Sequence, residues 1–190
     1  RNVKQGTMQQ LLTGKKRLPG FSGEWEVKKL GNIALFFKGV GLSKSDLTPN
    51  GTKPCIHYGQ LFTIYAQKIK KIISATNKKG NFFYSQENDV LMPTSDVTPN
   101  GLATASCIKQ NNVILGGDIL IIRTPQRKIN GEFLAYSIKI NHNQIMQLIS
   151  GTTVFHIYGT DMANFLLKFP PLEEQKAIAQ ILTDMDAEIE

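Results

Sequence analysis

Two short patterns in the chain carry residue types that bind metal ions. Glu26 and Lys28 form the Glu-x-Lys half of a metal-dependent nuclease site, which also needs an upstream acid to hold Mg²⁺. The only earlier acid is Glu24, which the alternation of a strand would put on the same side of the same strand. Cys55 and His57 form a Cys-x-His pair, but no second pair follows at the spacing of a zinc site. Both patterns are incomplete, so the sequence predicts no metal site.

The glycine-rich stretches do not complete a nucleotide site either. Gly39-Val40-Gly41 is too short for a dinucleotide fingerprint, and it lacks the later glycine that opens a helix. A phosphate-binding G-x-x-x-x-G-K-S/T loop and the N-P-P-Y-like motif of an adenine methyltransferase are both absent from the sequence. Asp118, which follows two glycines, is interpreted as a turn residue, and His156 as a packed strand residue. The chain is therefore predicted to lack a catalytic site.

The charge of the chain is distributed unevenly. Residues 1–80 hold 15 Lys and Arg against 3 Asp and Glu, whereas residues 81–190 hold 7 against 12, within a net charge of +7. Such an asymmetry is typical of a region that binds a polyanion, although an ordinary solvated face would look the same in the sequence.

If the polyanion is double-stranded DNA, lysines supply the phosphate contacts and other polar side chains on loops contact the base edges. The expected phosphate contacts are Lys38, Lys44, Lys53, Lys68, Lys70, Lys71, Lys78 and Lys79. The expected base contacts are His57, Tyr58, Thr94, Ser95, Arg123, Arg127 and Lys128. Arg123 and Arg127 are expected to contact bases because they lie where the strand expected over 118–124 ends, in a loop broken by Pro125.

Length and composition predict one ordinary globular domain. The chain has 190 residues, of which 41% are hydrophobic and 19% charged, and it has no apolar run long enough to span a membrane. No N-terminal signal segment is present, so we expect a cytoplasmic protein without a membrane partner. Cys55 and Cys107 are expected to be reduced, packed thiols, since a chain of this size needs no disulfide.

Hydrophobic periodicity predicts an α+β fold with small mixed sheets. Residues 58–73 fit a helix or a strand equally well. Elsewhere we expect helices over 2–13, GEFLAYSIKI and NQIMQLI, and strands over WEVKKL, 81–96, 102–109, 118–124, 153–157 and 165–169.

The C-terminal segment reads as an amphipathic helix that leaves the domain after two prolines. Glu173 and Glu174 suit its first turn, because negative charge there meets the positive end of the helix dipole. Its apolar stripe is Ile178, Ile181, Leu182, Met185 and Ile189, and the N-terminal helix offers Met8, Leu11 and Leu12. We expect the two helices to pair as an antiparallel coiled-coil stump that contacts a partner. The alternative is that the stripe packs on its own domain.

The same segments resemble a known family. The run FPPLEEQKAIAQIL and the N-terminal stretch KQGTMQQLLTGKKRLPGFSGEWEVKKLGNIA are similar to the borders of a target-recognition domain in the specificity subunit of type I restriction–modification enzymes. Between them, PCIHYGQLFTIY and ILGGDILIIRT resemble internal blocks of such domains. The likeness spans nearly the whole chain.

The resemblance implies a division into three parts: residues 1–21 as the end of a conserved helix plus a basic linker, 22–170 as the DNA target-recognition domain, and 171–190 as the start of a conserved coiled-coil helix. Both terminal helices are expected to be stumps of longer ones, and the linker residues Lys15, Lys16 and Arg17 are expected to meet a partner subunit.

The resemblance also implies a non-catalytic module that reads one half of a bipartite DNA target and docks the modification subunit. That subunit would bind S-adenosylmethionine, and this chain would bind no cofactor. We also expect a restriction subunit as a partner. The terminal helices are expected to contact a second recognition domain or another copy of the chain. Two alternatives stay open: a protein–protein adaptor of the same descent without DNA readout, and a DNA-modifying enzyme in its own right.

Overall fold

The computed structural model describes residues 2–188. Its helices are α1 (Asn2–Leu12), α2 (Gln60–Thr63), α3 (Gly131–Ile140), α4 (His142–Leu148), α5 (Gly159–Met162) and α6 (Leu172–Ala187). Its strands are β1 (Glu26–Lys29), β2 (Leu35–Lys38), β3 (Lys53–Ile56), β4 (Lys68–Ile69), β5 (Ser74–Thr76), β6 (Phe83–Tyr84), β7 (Val90–Pro93), β8 (Ser95–Asp96), β9 (Ser106–Ile108), β10 (Ile114–Leu115), β11 (Ile119–Arg123), β12 (Phe155–His156) and β13 (Leu166–Phe169). Short 3-10 turns lie at Leu30–Asn32, Lys44–Asp46 and Pro99–Ala103.

The strands form two main sheets and two small ones. The larger sheet has the order β2-β11-β7-β9-β4, and the second has the order β5-β3-β10-β6. Both are mixed: β4 runs parallel to β9 and β10 runs parallel to β3, while the other neighbours are antiparallel. Two-stranded ribbons join β1 to β13 and β8 to β12. The expected α+β class with small sheets is confirmed.

Strand β11 is buried on both faces and separates two hydrophobic cores. Leu120 and Ile122 point into a core shared with α1, α3 and α6. Ile119 and Ile121 point into a second core shared with β3, β9 and β10. Because alternate residues of a strand face opposite ways, one continuous apolar run supplies both cores. The domain thus has three layers: helices, the five-stranded sheet and the four-stranded sheet.

The C-terminal helix packs onto its own domain rather than leaving it. In α6, Ile178 and Leu182 are fully buried in the core that also contains Phe133 and Leu134 of α3. The residues of α1 that were expected to contact a partner are buried in the same core, with exposed fractions of 6% or less: Met8, Leu11 and Leu12. The expectation that these five residues form a partner interface is wrong, because the intramolecular core already covers them. Ile181 and Met185 are half-buried at its edge, and Ile189 lies outside the described residues.

Polar contacts hold the start of α6 against the rest of the chain. The fully buried Gln175 side chain accepts the Asn130 N–H at 2.9 Å and donates to the carbonyl oxygens of Lys128 and Pro170, both at 2.9 Å. These bonds satisfy every polar atom of the amide. The bonds to Asn130 and Lys128 span more than forty residues of sequence, which explains why helical periodicity did not predict them. The two prolines therefore turn the chain into the domain instead of away from it.

An ion pair in the linker fixes the same helix. Arg17 donates two hydrogen bonds to the Glu174 carboxylate, from Nε at 2.6 Å and from Nη2 at 2.7 Å. Glu174 is fully buried. The hydrogen bond that the Arg17 guanidinium donates to the Glu174 carboxylate raises the pKa of Arg17. Further along, the Tyr136 hydroxyl donates to Asp186 at 2.5 Å. Arg17 thus has a structural role within the chain, and its expected contact with a partner subunit stays a prediction.

Most of the expected elements are present. The two helices expected over GEFLAYSIKI and NQIMQLI are α3 and α4, and the strand expected over 118–124 is β11. Residues 58–73, which the pattern left ambiguous, contain both a helical turn (α2) and a short strand (β4). Gly14 ends the N-terminal helix with φ of 73°, as a glycine at that position should.

The burial of α6 gives a test of its role. Replacing Leu182 by Ala should lower the free energy of unfolding by about 2–5 kcal/mol, because it opens a cavity in the shared core. The same change at the half-buried Ile181 serves as the control and should cost less. Urea denaturation followed by circular dichroism measures both. Unchanged stability in Leu182→Ala, combined with lost subunit assembly, would instead assign this helix face to a partner.

Candidate functional site

Three strand ends of the five-stranded sheet meet at one edge of the domain. Because β11 runs antiparallel to both β2 and β7, with Leu120 opposite Lys38 and Ile119 opposite Pro93, the start of β11 lies beside the ends of its two neighbours. Lys38, Asp118 and Thr94 therefore meet at this edge, which we call the Asp118 end. Arg123 ends β11 at the opposite edge. It lies roughly 13 Å from Ile119 at the start of the strand, because a strand rises about 3.3 Å per residue.

The side chains at the Asp118 end differ in exposure. The Asp118 carboxylate is 50% exposed and lies 3.8 Å from the Nζ of Lys38, which is 62% exposed. Thr94 is buried: its N–H donates to the Asp118 carbonyl at 2.9 Å, and its hydroxyl lies 3.5 Å from the carboxylate. Thr94 therefore positions Asp118, and its expected role as a base contact is wrong.

Glycines bring the two loops at this end into contact. A Cβ on Gly39 would lie 1.9 Å from the carbonyl oxygen of Gly116, so only glycine fits there. The Gly117 N–H donates to the Gly41 carbonyl at 2.6 Å, which ties the loop after β2 to the turn before β11. The Gly-Val-Gly pattern thus serves loop packing and presents Asp118 at the surface.

His57 joins this end from the loop after β3. Its Nδ1 accepts the Gly59 N–H at 3.2 Å, so the neutral ring carries its proton on Nε2. Burial is the main cause that lowers the pKa of His57; the nearby charge of Lys44 lowers it further and the carboxylate of Asp118 partly opposes this. Both charged groups therefore lie near the imidazole. Tyr58 packs beside it, with ring centroids 4.7 Å apart, and its ring is half-buried against the core.

A small ribbon completes the same surface. Ser95 of β8 lies opposite His156 of β12, and the Ile157 N–H donates to the Thr94 carbonyl at 3.0 Å. The ring of His156 stacks on Tyr158, which is 44% exposed, with centroids 5.8 Å apart and planes 6° from parallel. We name the set at this end the Asp118 surface and define it as Lys38, Lys44, His57, Ser95, Asp118, His156 and Tyr158.

An apolar hollow of about 530 Å³ adjoins the Asp118 surface along β2. Leu35 and Phe36 line it on one side, and Tyr158 and Thr160 on the other, with Lys38 at its rim. Leu35 is 63% exposed. The surface thus offers cations, hydroxyl and imidazole groups and an apolar wall next to one another.

Three of the expected lysines, Lys53, Lys78 and Lys79, extend this region along the antiparallel pair of β3 and β5. Lys78 pairs with Asp46 at 2.7 Å, and the Lys53 ammonium donates to the Lys78 carbonyl at 3.3 Å. The hydrogen bond from Lys78 is the main cause that lowers the pKa of Asp46 to about 2. Asp46 belongs to the 3-10 turn that begins at Lys44. Its ion pair with Lys78 therefore brings the β3–β5 pair beside Lys44. Lys79, which follows Lys78 after β5, is exposed.

Arg123, by contrast, is an internal residue at the opposite edge. Its guanidinium makes two 2.8 Å bonds to the fully buried Asp89 and stacks over Phe37 and Phe83, with 5.0 and 5.5 Å to the ring centroids. Only 21% of its side chain is exposed. Its Nε and Nη2 donors are bound within the fold, which favours a structural role for Arg123. The expected contact with bases stays a prediction.

The other expected residues at the Arg123 edge are scattered. Arg127 is exposed in the loop after β11, while Lys128 pairs with Glu26 at 3.6 Å. Lys68 pairs with the nearly buried Glu132 at 3.3 Å. The chain direction of β4, parallel to β9, carries Lys70 and Lys71 to this edge as well. The structure therefore separates these residues from the Asp118 surface.

Neither metal pattern of the sequence is completed. Glu26 pairs with Lys28 at 2.8 Å, and Cys55 is buried in the interior. Within residues 2–188, no group of three or more His, Cys, Asp or Glu side chains is placed to hold a metal ion. Cys55 and Cys107 are buried free thiols, as expected, and burial raises their pKa values to about 11 and about 12. No helix in the described part of the chain is long and apolar enough to cross a membrane.

Comparison with known proteins points to one family. A family model described as the type I restriction modification DNA specificity domain matches residues 22–190. A curated relative, the type I restriction enzyme MjaVIII specificity subunit of Methanocaldococcus jannaschii, is 25% identical over 173 residues, which is 86% of this chain and 36% of that protein.

Solved structures agree in fold. The S subunit of a type I restriction–modification system from M. genitalium superposes with a TM-score of 0.64 at 20% identity, over 91% of this chain and 41% of that one. The HsdS subunit from Thermoanaerobacter tengcongensis gives 0.63 at 17% identity, over 99% and 45%. This chain therefore spans less than half the length of these relatives.

The ion pair of Arg123 can be tested by mutation. Replacing Arg123 by Ala should lower the free energy of unfolding by about 3–5 kcal/mol, because it leaves the buried Asp89 carboxylate unpaired. Arg127→Ala, an exposed arginine in the same loop, is the matched control and should stay within about 0.5 kcal/mol of the parent. Urea denaturation measures both. A stable Arg123→Ala variant with altered sequence preference would return Arg123 to the base-contact set.

Proposed function

The chain belongs to the family of type I restriction–modification DNA specificity domains, and from that premise we propose that it reads one half of a bipartite target in duplex DNA through the Asp118 surface. It acts as a specificity determinant without catalysis of its own. Methyl transfer, with S-adenosylmethionine, and cleavage belong to separate modification and restriction subunits. The complex works in the cytoplasm.

One observation carries the choice of surface: at the Asp118 end, exposed cations lie next to hydroxyl and imidazole donors and an apolar hollow. This combination, rather than the number of cations, selects the Asp118 end. Lys38 is exposed at the end of β2, Lys44 is exposed at the start of a 3-10 turn, and Lys79 is exposed in the segment after β5. Lysines in such positions neutralise phosphates and supply the part of the affinity that does not depend on sequence. The Arg123 edge also has exposed cations, Lys70, Lys71 and Arg127, whereas Lys68 and Lys128 there are engaged in ion pairs within the chain.

The same surface supplies groups that contact bases. The Nε2–H of His57 and the hydroxyls of Ser95 and Tyr158 are donors of the kind that pair with guanine O6 and N7 or thymine O4. Leu35 and the ring of Tyr158 offer apolar contact of the kind that suits a thymine methyl group. Phosphate contacts and base contacts thus have separate residues, as sequence-specific recognition requires.

Docking of the modification subunit is assigned to the outer side of α1 and α6. Ile181 and Met185 remain half-buried at the edge of the core, so they keep apolar area that a partner helix can cover. The fully buried residues of the two helices contribute only by holding this face in place.

The decisive experiment exchanges this segment for another recognition domain. The full-length subunit that contains it is co-expressed with its modification subunit, and methylated bases are mapped across a genome. One half of the bipartite motif should change with the exchange while the other half stays. An unchanged motif would show that the segment is an adaptor without DNA readout, and methylation by the isolated chain would show that it is an enzyme.

Phosphate contact by the lysines is tested separately. Replacing Lys38 and Lys44 by Ala should weaken binding to all sequences alike and reduce the slope of log K against log salt by about 1.8, or about 0.9 for each lost contact. Fluorescence anisotropy with duplex DNA over a salt series measures the slope. Lys176→Ala, which removes an exposed lysine of α6, is the control. An unchanged slope in the double variant would remove this surface from the DNA interface.

A further inference from the structure

We propose that Asp118 is a specificity-determining residue, whose carboxylate accepts a hydrogen bond from the exocyclic N4 amino group of a cytosine in the half-site. This inference rests on the proposed function, because it requires that the Asp118 surface faces the major groove. It assigns a role to a residue that the sequence pattern marks only as a turn.

The carboxylate stands among cations on the surface expected to face DNA. Lys38 lies 3.8 Å away, and both Lys44 and Asp118 act electrostatically on His57. A carboxylate in such a place repels phosphates, so it weakens sequence-independent binding. A base amino group that donates to it offsets this cost, and bases that present an acceptor at that point are rejected more strongly than by a neutral residue.

The acceptor atoms of Asp118 are engaged only at long range. Its two side-chain contacts, with Thr94 at 3.5 Å and Lys38 at 3.8 Å, are at or beyond the limit of a hydrogen bond. Several other carboxylates of the domain are bound more closely within the fold, at 2.6–2.9 Å: Asp46 by Ser43 and Lys78, Asp89 by Arg123, Asp96 by Val97 and Thr98, and Asp161 by Tyr158. Asp118 therefore keeps capacity for a ligand.

The backbone presents this carboxylate in a fixed position. Asp118 has φ of 60°, in the left-handed region, and its carbonyl is held by the Thr94 N–H. The preceding Gly117 is tied to Gly41. Non-glycine residues adopt this conformation at an energetic cost and only when their surroundings hold them there. A residue whose backbone is already anchored at the end of a buried strand loses little backbone entropy on binding, which suits a group that selects a base.

Cytosine is the base whose major-groove edge fits a carboxylate. Cytosine presents the N4 amino group as its only polar group there, whereas adenine places the N7 acceptor beside its N6 amino group. Guanine and thymine present acceptors, which a carboxylate repels. The neighbouring Lys38 and His57 then suit the N7 and O6 of a guanine or the flanking phosphates, so donors and acceptor divide the edge between them.

Two substitutions test the role without disturbing the fold. Asn and Gly both tolerate φ near 60°, so Asp118→Asn and Asp118→Gly keep the backbone while removing the charge. Asp184→Asn, which removes a charge from an exposed position of α6, is the matched control. Unchanged melting temperatures of all three variants establish that the fold is intact.

The readout is the base preference of the full subunit, assembled with its modification subunit, on duplexes randomised at each half-site position. We expect both Asp118 variants to lose a preference for one G·C pair by about 5- to 150-fold, with other positions unchanged and with tighter binding to unrelated DNA. Asp184→Asn should match the parent. A preference retained at every position, a loss confined to an A·T pair or an equal loss at all positions overturns the inference. If the parent complex shows no preference attributable to this segment, the proposed function fails with it.

Discussion

The burial of β11 on both faces is the constraint on which the rest of the domain depends. Its alternating side chains supply the helical core on one side and the core between the sheets on the other. A polar group along its length would have to lie in one of these cores, where an unpaired polar atom costs about 1–3 kcal/mol. Polar groups therefore collect at its two ends, Asp118 and Arg123, and these ends define the two edges of the domain.

The two ends use the same chemistry for different purposes. At one end Arg123 and Asp89 form a bidentate pair beside two aromatic rings, where low polarity strengthens the attraction and the Nε and Nη2 donors are bound to the carboxylate. At the other, Lys38 and Asp118 are at least half-exposed and 3.8 Å apart, and an exposed pair of this kind contributes only about 0–1 kcal/mol. The weak pair opens readily toward a ligand. Solvent exposure, more than residue type, separates the structural end from the end suited to recognition.

What the sequence could predict depended on how local the cause was. α3, α4 and β11 were predicted because their periodicity is internal to each segment. The direction of α6 was not, because Gln175 binds groups that lie more than forty residues earlier in the chain. The role of Arg123 was missed for the same reason, as its partner Asp89 is 34 residues away. Asp118 was taken for a turn residue, which it is; that the turn lies among lysines appears only when the strands are paired.

How many lysines are held in ion pairs within the fold affects how this domain would distinguish target from non-target DNA. Lys68, Lys78, Lys109 and Lys128 are engaged in ion pairs within the fold, so the basic excess of the sequence overstates the charge available to DNA. If the proposed surface binds DNA, its few exposed lysines would neutralise about three phosphates, and its non-specific affinity would be lower and less dependent on salt than that of a domain with about six to ten phosphate contacts. The difference between target and non-target DNA then depends mainly on base contacts. A carboxylate at the centre of that surface increases this difference, because it lowers affinity for every sequence except one with a donor in the right place.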